Sequence, residues 1–209
     1  MITPEQAAAF DRCVSAGGVA VFPADTVYGV CCSPQDARAV ERLYELKGRP
    51  QDKPAAVMCF ALSHARDLLS ELPDVTRSAV ERLLPGPVTV LVPNRAKRFP
   101  LACGPVPQVL GLRVPALTQA TRSLGAVALP VLQSSANASG APDARVLADV
   151  PNELLGGADL TLDAGALPGT PSTVVDFTRL HLDGSWEIKR AGAHPADEIA
   201  RAVRWNPAF

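Results

Sequence analysis

Apolar residues recur along the chain at two spacings, and the alternation between those spacings predicts a sheet interleaved with helices. Thr3-Pro4-Glu5-Gln6 combines an N-cap, a proline at the first helical position and a capping-box glutamine, and Gly17-Gly18 supplies the stop. The apolar run Val19 to Phe22 follows as a first strand. Ser33-Pro34-Gln35-Asp36 repeats the cap-plus-proline signature, and Ala37, Val40, Leu43 and Leu46 then share one helical face until Gly48 ends the run. Further strands are predicted at Ala56 to Phe60, Val88 to Val92, Gly111 to Val114, Val127 to Leu132, Asp159 to Leu162, Thr173 to Phe177 and Trp186 to Lys189. Helical patterns occupy Asp74 to Leu84, Pro115 to Leu124, Arg145 to Leu155 and Pro195 to Trp205. The last two strands, joined by Thr178 to Ser185, read as a hairpin, which makes the sheet mixed. The prediction is an α/β fold with a single domain over 1–209, a twisted open mixed sheet flanked by helices. The proline-rich stretch Pro85 to Pro107, with Arg95, Lys97 and Arg98, reads as a turn, a strand and a basic loop rather than a boundary.

Composition narrows the function classes. At 209 residues and 47% hydrophobic content the chain can bury a substantial core. Twenty basic and 21 acidic residues leave a net charge of -1, which excludes nucleic-acid binding by bulk charge, so any anion site must be local. Cys13, Cys31, Cys32, Cys59 and Cys103 form no C-x-x-C pair and are odd in number, as expected of reduced thiols. The N-terminus lacks the pattern of a secretory signal, and no apolar run reaches the roughly 18 residues of a bilayer span. A cytoplasmic protein without membrane contact is expected.

The candidate chemistry is that of anion binding. P-loop, G-x-G-x-x-G, G-x-S-x-G and H-E-x-x-H motifs are absent, and His64, His181 and His194 lack metal-ligand spacing, so no metal site is expected in the protein itself. Pro23-Ala24-Asp25-Thr26-Val27-Tyr28-Gly29 leaves a buried strand for a turn, where open α/β sheets place ligands, although Asp25 and Thr26 are also ordinary turn residues. Lys47-Gly48-Arg49 brackets a helix C-terminus, which favours cations for structural reasons too. Lys53, beside the next strand, either holds a phosphate or faces water. Arg113 lies among Leu112, Val114 and Pro115, and an inward-pointing arginine there requires an anion to offset its desolvation. Ser134-Ser135-Ala136-Asn137-Ala138-Ser139-Gly140 is dense in small donors, as suits a phosphate loop or a plain flexible one. Ser172-Thr173 opens a strand and Arg190 closes the next. Strand ends that supply Lys, Arg, Ser, Thr and Asn without a nucleophile-base set point to phosphoryl or nucleotidyl transfer by charge stabilisation and positioning.

Together these motifs resemble the YrdC/TsaC-type threonylcarbamoyl-AMP synthases from about Val19 to Gly192, in the family's order. The resemblance implies a YrdC-like sheet around a large basic cavity. It implies condensation of L-threonine, bicarbonate and ATP to threonylcarbamoyl-AMP and pyrophosphate, for tRNA threonylcarbamoyladenosine modification, with Mg²⁺ carried on the ATP phosphates. By the same resemblance Lys47 and Arg49 are the catalytic cations, and Lys53, Arg113, Ser135, Asn137 and Arg190 bind ATP. Thr26 and Ser172 are then the amino-acid contacts. A tRNA or a tRNA-modification complex is the expected macromolecular partner. Three positions depart from the family pattern: Ala24 replaces a usual threonine, Met58 a common histidine, and Gln133 a small residue before Ser-x-Asn. Two alternatives stay open, a non-catalytic RNA-binding or ribosome-associated module and a carbamoyl-adenylate enzyme with another acceptor. Since the chain ends soon after Arg190, any lid is expected to be short.

Overall fold

The computed structural model describes residues 1–138 and 140–204. Ser139 and the predicted helix end at Trp205 lie outside them. Among the described residues nine strands form one sheet: β1 (Ala20–Pro23), β2 (Tyr28–Cys32), β3 (Ala56–Met58), β4 (Val88–Pro93), β5 (Val109–Arg113), β6 (Val131–Ser135), β7 (Leu160–Thr161), β8 (Thr173–Asp176) and β9 (Glu187–Arg190). Their order is β7-β1-β2-β6-β3-β5-β4-β8-β9. Three pairs are parallel (β1 with β7, β3 with β5, β4 with β8) and the others antiparallel, so the sheet is mixed as the sequence predicts.

Because side chains alternate across a strand, each strand feeds two cores. Val30, Val57, Leu112, Val90 and Val175 point to one face, which is covered by α2 (Ala37–Leu46), α4 (Asp74–Leu83) and α8 (Ala196–Arg204). The opposite face is covered over only part of its width, by α1 (Pro4–Ser15) and a 3-10 turn at Arg122–Ala126. Thr3 caps α1 through the capping box read from the sequence. Phe10 on that helix meets Phe22 and Phe60, the three rings standing 5.5–5.8 Å apart in tilted or edge-on pairs. Gly29 makes this possible, since a Cβ there would lie 2.9 Å from the Phe22 ring.

Five sequence expectations are corrected. Tyr28–Cys32 is a strand that pairs antiparallel with β1, so the Pro23-to-Gly29 segment is the turn of a hairpin and the start of its second arm. The helix after Ser33-Pro34 begins only at Ala37, because Asp36 is the residue whose carboxylate takes the Arg38 and Ala39 N–H groups. Pro115 to Leu124 makes no α-helix: the Ala116 N–H is taken by Asp25 and the Thr118 N–H by Thr121. Arg145 to Leu155 breaks into a 3-10 turn and a short helix, Asn152–Gly157, with Asp149 accepting the Arg145 and Val146 N–H groups and Pro151 between them. The strand placed at Val127 to Leu132 runs instead from Val131, just after Pro130. The five cysteines are free thiols, four of them buried. No described helix is long and apolar enough to cross a membrane.

Candidate ligand cavity

Beside the aromatic cluster the same sheet face is bare, and a cavity of about 550 Å³ occupies the space. Its floor comes from residues of β6, β3, β5, β4 and β8, small or polar side chains such as Ala56, Gly111, Gln133 and Thr89 together with the aliphatic Leu91, Val109 and Val174. Gln133, Ala56, Gly111 and Leu91 are register partners across four strands and form the middle of that floor. Ser135 stands on one side of this row, with the Arg49 and Pro54 wall. Arg113, Thr89, Ser172 and Arg190 stand on the other.

Arg113 is 4% exposed and is fixed at its Nη2, which donates to Asp25 Oδ1 at 2.6 Å and to Thr26 Oγ1 at 2.6 Å. The second Asp25 oxygen accepts the Ala116 N–H at 3.0 Å. A buried pair of this kind recovers its desolvation only through such extra bonds, and here the hairpin turn and the segment after β5 both supply them. Nη1 reaches Ser172 Oγ at 3.5 Å, while Nε is buried without a partner among the described residues. Arg190 Nη2 donates to the Ser172 carbonyl at 2.7 Å and lies 3.3 Å from its hydroxyl, which in turn sits 3.0 Å from Thr89 Oγ1. Burial holds the Arg190 pKa below the ordinary guanidinium value; Asp143 pulls it back up and the Arg113 charge pushes it further down. Two guanidinium groups therefore converge on one hydroxyl, an arrangement that an anion would relieve.

Lys47 and Arg49 part company although one glycine separates them. Gly48 takes φ +55°, a left-handed turn that reverses the chain after α2. Arg49 lines the cavity, lies 5.7 Å from the Tyr44 ring centre and donates to the Pro54 carbonyl, with its Nε buried and unpartnered. Lys47 is 3% exposed and does not line the cavity. Its ammonium donates to the carbonyls of Ser135 and Asn137, the latter at 2.8 Å, and approaches Asn137 Oδ1 at 3.4 Å. Ser135 Oγ donates to Asn137 Oδ1 at 2.6 Å, and the Asn137 amide donates to the Ala141 carbonyl. Burial first, then the Arg49 charge, lowers the Lys47 pKa from 10.5 to about 8, with Asp143 opposing and Lys53 adding to the fall.

Of the residues singled out in the sequence, Arg49, Arg113, Ser135, Ser172 and Arg190 meet at the cavity. Lys47 and Asn137 form the wall behind Ser135, and Thr26 sits behind Arg113. Lys53 is exposed and outside the lining. Met58 is buried in the aromatic half, whereas Ala24 lines the cavity. Sequence reasoning passed over Thr89, weighed Asp25 as an ordinary turn residue, and met Gln133 only as a departure from the family pattern. Thr89 had a signal, a lone hydroxyl in the apolar run of β4; Asp25 had none beyond its place in a turn.

A family model described as "Telomere recombination", that of the Sua5/YciO/YrdC proteins, matches residues 12–192. A protein of Pseudomonas aeruginosa named Threonylcarbamoyl-AMP synthase is 34% identical over 182 residues, 85% of this chain and 95% of its own. One of the same name from Pyrococcus abyssi is 30% identical over 190 residues, 90% of this chain but 54% of its own, so the chain spans about half the length of that relative. A solved structure of P. abyssi Sua5 complexed with L-threonine superposes with a TM-score of 0.84 at 26% identity, over 98% of this chain and 59% of that one. The fold of Escherichia coli YciO is also shared, with a TM-score of 0.77 over 95% of each chain at 24% identity. The family model's match over residues 12–192, the relative of 34% identity and the shared fold leave one conclusion: the chain belongs to the Sua5/YciO/YrdC family.

Proposed function

We propose that this chain is an L-threonylcarbamoyladenylate synthase, a nucleotidyltransferase that condenses L-threonine, bicarbonate and ATP. The observation that carries the reading is the convergence of Arg49, Arg113 and Arg190 with Ser135 and Ser172 on one sheltered cavity in a chain of this family. The threonine amine takes up bicarbonate as a carbamate, releasing water, and a carbamate oxygen attacks the α-phosphorus of ATP while pyrophosphate departs. Carbamates decompose in water, so shelter favours the reaction. The arginines neutralise phosphate and carboxylate oxygens, each charge-assisted bond contributing about 1.5–3 kcal/mol. Ser172 and the Arg113–Arg190 pair suit the amino acid or a phosphate oxygen, and Lys47, Asn137 and Thr26 hold these groups in place from behind. Lys53, exposed beside the cavity wall, is left for the outer phosphates. The Asp25 carboxylate is committed to Arg113 and Ala116, so Mg²⁺ fits as a passenger on the triphosphate, held by phosphate oxygens and water.

Use of the product in tRNA modification, a cytoplasmic setting and contact with tRNA or a modification complex belong to the same proposal. A second reading, adenylation of a carbamate on another acceptor, is favoured by Ala24, which lines the cavity where a threonine is usual. Pyrophosphate release, measured with each component withheld in turn, tests both. Release is expected only when ATP, L-threonine and bicarbonate are all present. Release that persists without threonine or without bicarbonate rejects the assignment.

A further inference from the structure

The middle of the cavity floor is electrically neutral and carries one polar side chain with nothing to bond. Gln133 is 7% exposed and lines the cavity, and its carboxamide has no hydrogen-bond partner among the described residues. Its register partners along the floor, Ala56 and Gly111, offer no side-chain group that turns to meet it. Its polar atoms open onto the cavity rather than being sealed from it, so a ligand that fills the cavity has to supply their hydrogen bonds.

The surroundings restrict what that ligand group is. Ser135 and the Arg49 wall flank Gln133 on one side, and Arg113, with Ser172 and Arg190, lies on the other. Two residues of strand span about 6.6 Å, so the Ser135 and Arg113 rows lie about 13 Å apart along the strands with the Gln133 row midway between them. An anionic group would bond only the carboxamide NH2, leaving its oxygen unmatched, and is drawn more strongly to the arginines at either end. A cation is disfavoured by three arginines. An apolar group leaves the amide unpaired. A neutral group presenting one donor and one acceptor side by side satisfies it.

We propose that Gln133 is a specificity-determining residue that bonds the neutral carbamoyl linkage of a ligand whose anionic ends are held by Arg49 and by the Arg113–Arg190 pair. This deepens the synthase reading and rests on it, because in threonylcarbamoyl-AMP the linkage N–H and C=O lie between a phosphate and a carboxylate. The residue thus favours the carbamoylated amino acid over the free one. It reads the join between the two halves rather than either half.

Calorimetric titration of the wild type, Gln133→Ala and Gln133→Leu with AMP, with L-threonine, and with N-carbamoyl-L-threonine in the presence of AMP tests this. Both variants are expected to bind the carbamoyl probe about five- to tenfold more weakly, as the loss of one or two neutral hydrogen bonds gives, and to hold AMP and L-threonine within about twofold. The Gln133→Leu variant keeps the volume and removes the unpaired amide, so its melting temperature is expected to equal or exceed that of the wild type. Unchanged affinity for all three probes overturns the proposal, as does a loss confined to AMP, which would make Gln133 a contact to the base. Wild-type protein that binds neither AMP nor L-threonine overturns the synthase reading itself, and this inference with it.

Discussion

Two halves of one sheet face, meeting on β3 and β6, are finished in opposite ways. On β1, and where α1 lies over the sheet, the inward positions are Phe22, Ala20, Phe10 and Phe60, and three rings close the space. On β3, β5, β4 and β6 the equivalent positions are Ala56, Gly111, Thr89 and Gln133, and nothing closes it. The difference lies in side-chain volume and in the one helix laid over one end, since the backbone register runs through both halves without a break. A sheet face that is left uncovered and lined by minimal or polar side chains gives up packing enthalpy, and the chain places its buried cations there.

The sharpest way to break the comparison is to exchange the two kinds of loss. Phe10→Ala empties the aromatic half and is expected to lower stability by about 3–5 kcal/mol in thermal or urea unfolding, with turnover per folded molecule retained. A large loss of turnover at full folding would show that the two halves are not separate. Arg190→Ala acts in the open half and should do the reverse. Stability is expected to fall by no more than about 1 kcal/mol, while pyrophosphate release drops about 10- to 100-fold, the equivalent of one charge-assisted bond. The smallest effect concerns Lys47, at the boundary of the open half. Its folded pKa, about 8, lies below the ordinary lysine value of 10.5, so between those pH values the unfolded chain holds a proton that the folded one releases. Stability relative to Lys47→Met should therefore rise as pH is taken from about 8 to 10.5 and stay level below that window. A stability difference that instead shrinks across this range would mean that the ammonium is strongly favoured in the fold.

Local signals carried the helices at Pro4–Ser15, Ala37–Leu46, Asp74–Leu83 and Ala196–Arg204 and most of the sheet. Thr3 and Gln6 announce α1 within four residues, and Gly48 marks the end of α2, because capping and left-handed turns are settled by the residues themselves. The second arm of the first hairpin escaped because its five residues, Tyr28 to Cys32, follow a turn signal directly and show no alternation, being buried on both sides. Pro115 to Leu124 has helical spacing, yet Asp25, 91 positions earlier, claims the N–H of Ala116. At the site, residue type was legible and role was not. Lys47 and Arg49 have the same charge and nearly the same position, and only the tertiary placement of the turn after β6 decides that one is enclosed by oxygens and the other faces the cavity. Thr26 and Arg113 were both legible as polar groups near strand ends; that one holds the other was not.

The enclosed ammonium has a consequence for how this protein can change over generations. Lys47 and Asn137 stand 90 positions apart, yet they and Ser135 act as one fastening between a helix end and a loop. Insertions in the intervening turns leave that fastening alone, whereas replacing either terminus strands the other: a lysine without oxygens, or carbonyls without a cation. The two short motifs are in effect a single heritable character, to be lost or kept together.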